Sequence, residues 1–323
     1  MIIAKAPLRL EFAGGSTDIK SFYENEQGSI LSATINKYMY LAVHKYFYNK
    51  VLLKYSETEL VDSIEHIKHP LFRECLRLLN LTKGVEVTVI GDIPSGTGIG
   101  TSSSFTVALL HALHAYKGEH VSPERLAQEA CHIEITAAKS PIGKQDQYMA
   151  AYGGINYISF NPDETVKVQP IICKPETIKE LNKNLLLFYT GTQRSTNNLL
   201  AEQMKNIKEK MLHLRKMKVL SEKARDALIN NDLEAFASAF HEDWSEKKVM
   251  NPAISNSMIE SCFEKAFQAG AKARRLVGAG AGGFILLYCD REKQDRVRMA
   301  LHDLKEINFE IDPQGSRIVY VGN

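Results

Sequence analysis

The sequence has no apolar run approaching the ~18 residues that a membrane helix needs, so no membrane span is expected in its 323 residues. An excess of one charge is also missing: 40 Lys and Arg stand against 38 Asp and Glu, a net charge of +2. A dedicated nucleic-acid binder normally carries a basic patch or stripe, and this balance argues against one, though not against a local cationic pocket. Cysteine is scarce. Cys75, Cys131, Cys173, Cys262 and Cys289 are odd in number and scattered, with no Cys-x-x-Cys spacing. That pattern argues against a zinc site or disulfide framework and for buried free thiols. Lys5, Arg9 and Glu11 interrupt the apolar N-terminus before any small-residue cleavage site, so no signal peptide is expected and the chain reads as cytoplasmic. Internal repeats and low-complexity linkers are absent too.

What remains is an ordinary globular composition, 44% hydrophobic and 24% charged, long enough for about two domains. β-Branched and aromatic residues mark strands over 2–13, 29–33, 38–47 and 85–90. Phe105, Ala108, Leu109, Ala112, Leu113 and Tyr116 then fall at helical spacing, on a helix ending near Gly118. Ser122-Pro123 starts another helix, with Ser as N-cap and Pro at the first position, running to about Ala138. Strand returns over 153–160. A polar, Pro-bearing stretch over 161–180 marks a boundary between residues 1–170 and 171–323. Beyond it come a strand over 185–189, helices over 195–230, 232–248 and 255–269, and a strand, helix and strand in the tail. Strands, helices and mixed elements without regular βαβ alternation predict an α+β chain of two lobes. The Lys-rich segment 205–223 carries Met204, Ile207, Met211, Leu214 and Met217 at helical spacing, which reads as a core-facing stripe with a solvated basic face.

The strongest local signal is Pro94-Ser95-Gly96-Thr97-Gly98-Ile99-Gly100-Thr101-Ser102-Ser103-Ser104, between a strand and an amphipathic helix. Its glycines can take positive φ and let the backbone approach an anion. The helix start beyond them favours phosphate. The hydroxyls can cap that helix or offer hard oxygens to Mg²⁺. No Lys follows the glycines, so this is not a Walker loop, and the dinucleotide fingerprint is absent. Read alone, the segment also fits a flexible loop before a capped helix.

Glu134 lies near a helix end and Asp146 in the loop segment 141–147. Near a phosphate site, one carboxylate can hold a metal while the other accepts or orients a hydroxyl proton. A solvated helix face and a loop cap are the plain alternatives. A third small-residue run, Val277 to Gly283, suggests tight backbone approach to a ligand or another loop.

In this order, Ala6–Asp18, Pro94–Ser104 and Gly278–Gly283 resemble the three motifs of the GHMP small-molecule kinase superfamily, over nearly the whole chain. The resemblance implies a ribosomal-protein-like α/β lobe, a ferredoxin-like C-terminal lobe and ATP between them. It implies that Gly96, Gly98, Gly100, Thr101, Ser102 and Ser103 wrap the ATP phosphates. Ser102, with Ser103 as a neighbouring alternative, would ligate Mg²⁺ together with Glu134. Asp146 matches the catalytic aspartate, and Arg9 sits where sugar kinases of the family place an arginine beside the reacting oxygen. A loose, anionic phosphoryl transition state makes such positioning and cationic stabilisation count for more than a strong base.

Galactokinases carry a Glu-His pair where this chain has Gly15-Ser16, which puts galactose in doubt. Residues 14–18, 142–147 and 189–195 are together most similar to D-glycero-D-manno-heptose 7-phosphate kinases, which make the 1,7-bisphosphate on the route to GDP-heptose for surface polysaccharide. L-fucose kinases are the nearest competitor, and a catalytically silent sugar and ATP sensor is the alternative outside catalysis. On this resemblance Gly15, Ser16, Asp18, Lys144, Arg194 and Gly280 are the candidate substrate contacts. Asp18 would grip sugar hydroxyls, and Arg194 and Lys144 would hold a distal phosphate. The expected partners are a small-molecule sugar phosphate and ATP, with no nucleic acid and no membrane; a homodimer is left open.

Overall fold

The computed structural model describes residues 1–191, 209–277, 280 and 282–322 in full, and 207–208 by backbone alone. Two β-sheets organise it. In the first, β1 (Ile2–Ala13) pairs antiparallel with β2 (Gly28–Lys45). β3 (Val51–Lys54), β4 (Thr58–Val61) and β5 (Val85–Gly91) extend the sheet beyond the second half of β2, where β5 is the neighbour. β6 (Ile155–Phe160) pairs with the first half of β2 and carries β7 (Val166–Pro170). The second sheet is antiparallel, from β8 (Leu185–Tyr189), β9 (Ala273–Val277), β10 (Phe284–Tyr288) and β11 (Lys305–Glu306), in the order β11-β8-β10-β9. β12 (Arg317–Val321) returns to pair with β1.

The helices are α1 (Lys20–Tyr23), α2 (Pro70–Leu78), α3 (Thr101–Tyr116), α4 (Pro123–Cys131), α5 (Gln145–Tyr152), α6 (Pro175–Asn184), α7 (Ile207–Ile229), α8 (Leu233–Met250), α9 (Ser257–Ala269) and α10 (Gln294–Ala300). Every β1 residue from Ala6 to Ala13 is buried. Side chains alternate between the two faces of a strand, so β1 is covered on both. α3 and α5 pack on β1 and β2, as does α7, and α8 packs on β1. Phe12 meets Phe236 and Phe240 of α8 edge-on. Leu214 and Met217 of α7 are buried with Phe22 and Met250, which accounts for the apolar stripe on that Lys-rich helix.

Several sequence expectations change. The strands expected over 29–33 and 38–47 are one continuous strand, with a bulge at Asn36–Lys37 where the pairing with β1 shifts register between Pro7 and Leu8. The polar 161–180 stretch contains β7 and the start of α6. The boundary expected near residue 170 does not divide the packing there, because α7, α8 and β12 all join the first sheet. Asp146 is in the first turn of α5 rather than a loop, a position where the helix dipole favours an acid. Of the cysteines, all free, Cys75, Cys131 and Cys289 are buried and Cys173 and Cys262 half-buried.

Candidate active site

The phosphate loop has the backbone its glycines require: φ is +77° at Gly96, +82° at Gly98 and +79° at Gly100. Gly100 is the N-cap of α3, and no side chain caps that helix. The hydroxyls expected to cap it turn elsewhere. Ser102 Oγ donates to Glu134 Oε1 (2.9 Å), Ser103 Oγ to Glu134 Oε2 (2.6 Å) and Ser104 Oγ to the Pro7 carbonyl (2.6 Å). A helix leaves its first N–H groups without internal partners, and here they stand at the loop with the positive end of the dipole.

Glu134 lies on a turn of π-helix, His132–Ala137, that continues α4. Such turns are frequent at functional sites. Its fully buried carboxylate also accepts from Thr106 Oγ1 (2.9 Å) and from Gln147 Nε2. Burial pushes its pKa up, and these hydrogen bonds oppose the shift. The donor set suits Mg²⁺, a hard cation that takes oxygen ligands. Ser102 is exposed and Ser103 buried, so Ser102 is the hydroxyl open to a metal and ATP. Gln147 Oε1, beside the carboxylate, is a buried acceptor with no partner among the described residues. Among the described residues no group of three or more His, Cys, Asp and Glu could hold a metal alone.

Arg9 and Asp146 form a two-pronged ion pair, Nε to Oδ1 at 2.6 Å and Nη2 to Oδ2 at 3.0 Å. Such forks fix geometry as well as charge. Arg9 Nη1 also donates to the Gly98 carbonyl (3.2 Å), and its backbone N–H to that of Ile99 (3.1 Å). A Cβ on Gly100 would stand 3.3 Å from Arg9 Cγ and 3.5 Å from Asp146 Oδ2. The pair therefore lies directly against the phosphate loop.

Asp18 lies near this pair, 2% exposed, and accepts from the Gln145 N–H at 3.0 Å. Burial, and then the charge of Asp146, raise its pKa. Gly15 and Gly143 are kept bare by carboxylates: an added Cβ would fall 2.0 Å from Glu11 Oε1 and 1.9 Å from Asp18 Oδ2, respectively. Ser16 holds φ +71°, the kind of strain that collects at ligand sites. Lys144 meets Asp18 through its backbone, but its ammonium pairs with Glu164 and lies 4.5 Å from the centre of the Tyr23 ring. Its cation is thus already engaged, unlike a dedicated phosphate contact. Gly280 packs against Ile254. Arg194 lies outside the described residues. In the third motif, a Cβ on Gly283 would stand 2.7 Å from the Thr97 carbonyl, and the Gly283 N–H and carbonyl both bond Thr190 Oγ1. That motif supports the phosphate loop.

Sequence reading missed a buried network beside the site. Glu11 receives Lys247 Nζ (3.1 Å), Gln145 Nε2 (2.8 Å) and the Arg275 guanidinium. Arg275 also donates to Asp243 Oδ2 (2.5 Å) and the Phe12 carbonyl (2.9 Å), and Asp243 Oδ1 accepts the Gly14 N–H (2.7 Å). Burial pushes the pKa of Asp243 up and pulls those of Lys247 and Arg275 down. Glu11 stood inside the first motif, but its partners come from residues far along the chain and carry no local signal.

Residues 46–154 match the GHMP kinases N terminal domain and residues 224–305 the GHMP kinases C terminal domain, together more than half of the chain. The D-glycero-alpha-D-manno-heptose 7-phosphate kinase of Campylobacter jejuni subsp. jejuni serotype O:2 is 29% identical over 93% of each chain. The bifunctional fucokinase/GDP-fucose pyrophosphorylase of Arabidopsis thaliana is 24% identical over 94% of this chain, which spans 31% of that protein. Among solved structures, a D-glycero-D-manno-heptose 1-phosphate kinase from Bacteriodes thetaiotaomicron superposes with a TM-score of 0.83 at 26% identity, covering 100% of both chains.

Proposed function

The chain belongs to the GHMP kinase superfamily, with that family's two-lobed α+β fold, and from this premise we propose that it is a cytoplasmic D-glycero-D-manno-heptose 7-phosphate kinase. It transfers the γ-phosphoryl group of ATP to the anomeric hydroxyl, giving the 1,7-bisphosphate for GDP-heptose synthesis. The observation that carries the chemistry is the Arg9–Asp146 fork set against the phosphate loop. The full-length likeness to the Campylobacter enzyme supports the substrate.

The glycine loop and first turn of α3 hold the ATP phosphates by backbone N–H groups. Ser102 and Glu134 would hold Mg²⁺, which would supply positive charge against the transferring phosphoryl group. Asp146 orients the sugar hydroxyl and takes its proton as the bond to phosphorus forms. Arg9, fixed by Asp146 and the Gly98 carbonyl, offers its charge to the equatorial oxygens. Asp18 accepts a sugar hydroxyl, and Arg194 holds the distal phosphate.

A coupled ADP-release assay with Mg·ATP and D-glycero-D-manno-heptose 7-phosphate, mannose, L-fucose and galactose tests this. Turnover of the heptose phosphate alone, with a product blocked at the anomeric carbon, supports the assignment. Turnover of L-fucose instead selects the fucokinase reading, which the alignment with the Arabidopsis protein favours. Asp146→Asn should lower kcat at least ~100-fold with the KM for ATP little changed, and undiminished turnover would remove Asp146 from its role.

A further inference from the structure

Asp146 is the second residue of α5, so its place depends on how the first is held. Gln145 is held twice. Its Nε2 donates to Glu11 Oε2 at 2.8 Å, and its backbone N–H donates to Asp18 Oδ2 at 3.0 Å. Both acceptors are buried carboxylates of the first motif, and Gln145 itself is 8% exposed. Gln145 Oε1 has a longer contact of 3.4 Å from Ser32 Oγ, so the side chain is oriented from both ends.

The clamp is anchored in turn. Glu11 lies two residues from Arg9 on β1 and is gripped by Lys247 of α8 and Arg275 of β9. Arg9 and Asp146, the two halves of the fork, are thus each one or two residues from one end of the Glu11–Gln145 hydrogen bond. The bare glycines at 15 and 143 are explained by the same arrangement, because side chains there would occupy the space of the two clamping carboxylates.

We propose that Gln145, clamped between Glu11 and Asp18, is the positioning residue that sets Asp146 against Arg9 and the phosphate loop, with Lys247 and Arg275 carrying the hold of α8 and the second sheet on that clamp. The proposal rests on the reading of Asp146 as the group that orients the sugar hydroxyl. Loss of the clamp lets α5 shift at its first turn, and a misplacement of about 1 Å can cost ~100-fold in rate.

The test is steady-state kinetics on the full chain, with the sugar turned over in the panel above, for Asp146→Asn, Gln145→Ala and Gln145→Glu. Gln145→Ala should lower kcat ~10- to 100-fold and leave the KM for ATP within about twofold, because the phosphate loop is untouched. Gln145→Glu, which sets two carboxylates together, should be worse. A kcat at the unaltered level in Gln145→Ala overturns the proposal. Turnover surviving in Asp146→Asn overturns the underlying reading instead, so the two failures are distinguishable. If Gln145→Ala does not fold, Gln145→Met, of similar volume, replaces it. A crystal structure of the variant supplies a readout without substrate: an Asp146 withdrawn from Arg9 is expected, and an intact fork overturns the proposal.

Discussion

A methyl group on Gly283 would press on the Thr97 carbonyl at 2.7 Å, and φ at this residue is +110°, a conformation open to glycine. The third motif therefore bears on the phosphate loop, and if that loop holds ATP as proposed, Gly283→Ala should raise the KM for ATP about tenfold while the sugar KM stays put. Gly84 provides the control: φ is +67°, but nothing lies within 4 Å of its added Cβ. Gly84→Ala should lose only about 1 kcal/mol of stability to backbone strain, with kinetics unchanged. Equal ATP KM values for the two variants would disconnect the third motif from the loop. Residues at this scale were legible where chemistry is local. Glycines spaced before a hydroxyl run announced positive φ, and Arg9, Glu134 and Asp146 stood in readable motifs. Gln145, Lys247, Asp243 and Arg275 were illegible, because their meaning comes from partners that folding brings from far along the sequence.

At the scale of elements, α3 and α4 are joined at the far end from the site by a buried imidazole. His114, in the last turn of α3, places Nδ1 2.8 Å from Glu119 and Nε2 2.7 Å from Glu129, and Glu129 also receives Arg125 Nε at 2.7 Å. Two carboxylate neighbours, Glu129 foremost, raise the imidazole pKa above its usual 6.5. A raised histidine contributes its full stabilisation below pH 6.5 and loses it as pH rises through the higher folded value. Chemical denaturation should show His114→Gln less stable than the parent by on the order of 2 kcal/mol near pH 6, with a smaller gap near pH 9. A gap that does not change with pH would mean that the imidazole is not cationic in the fold. Both helices were readable from periodicity and from the Ser122-Pro123 start, and Ser122 Oγ does accept the Arg125 N–H. The return of β12 to β1 and the strands β3, β4 and β9 were not. A short strand gives little periodic signal, and pairing across the chain gives none.

At the scale of the molecule, the two sheets meet through a buried charge cluster. Arg275, on β9 of the second sheet, reaches Glu11 and the Phe12 carbonyl on β1 and Asp243 on α8, while Asp243 also holds the Gly14 N–H. Two lobes were expected from the order of strands and helices, but this joint was not. Its charges read as ordinary surface residues until the fold buries them. Removing one partner of a buried ion pair typically costs about 3–5 kcal/mol, because the other charge is left uncompensated. Arg275→Met keeps the stem and removes the cation, leaving Glu11 with Lys247 and Asp243 with the Gly14 N–H. It should lose stability on that scale and loosen the second sheet from the first. Burial already pushes Asp243 above the usual carboxylate range, and loss of the guanidinium can only push it higher. Neutralising it by a proton then removes part of the penalty, so the deficit of Arg275→Met should shrink as pH falls from about 8 to 6. Calorimetry at these two pH values would decide. A separate early transition at pH 8 that merges with the main one at pH 6 is expected. A single transition with the same deficit at both would mean that the cluster fills space between the sheets without coupling them electrostatically.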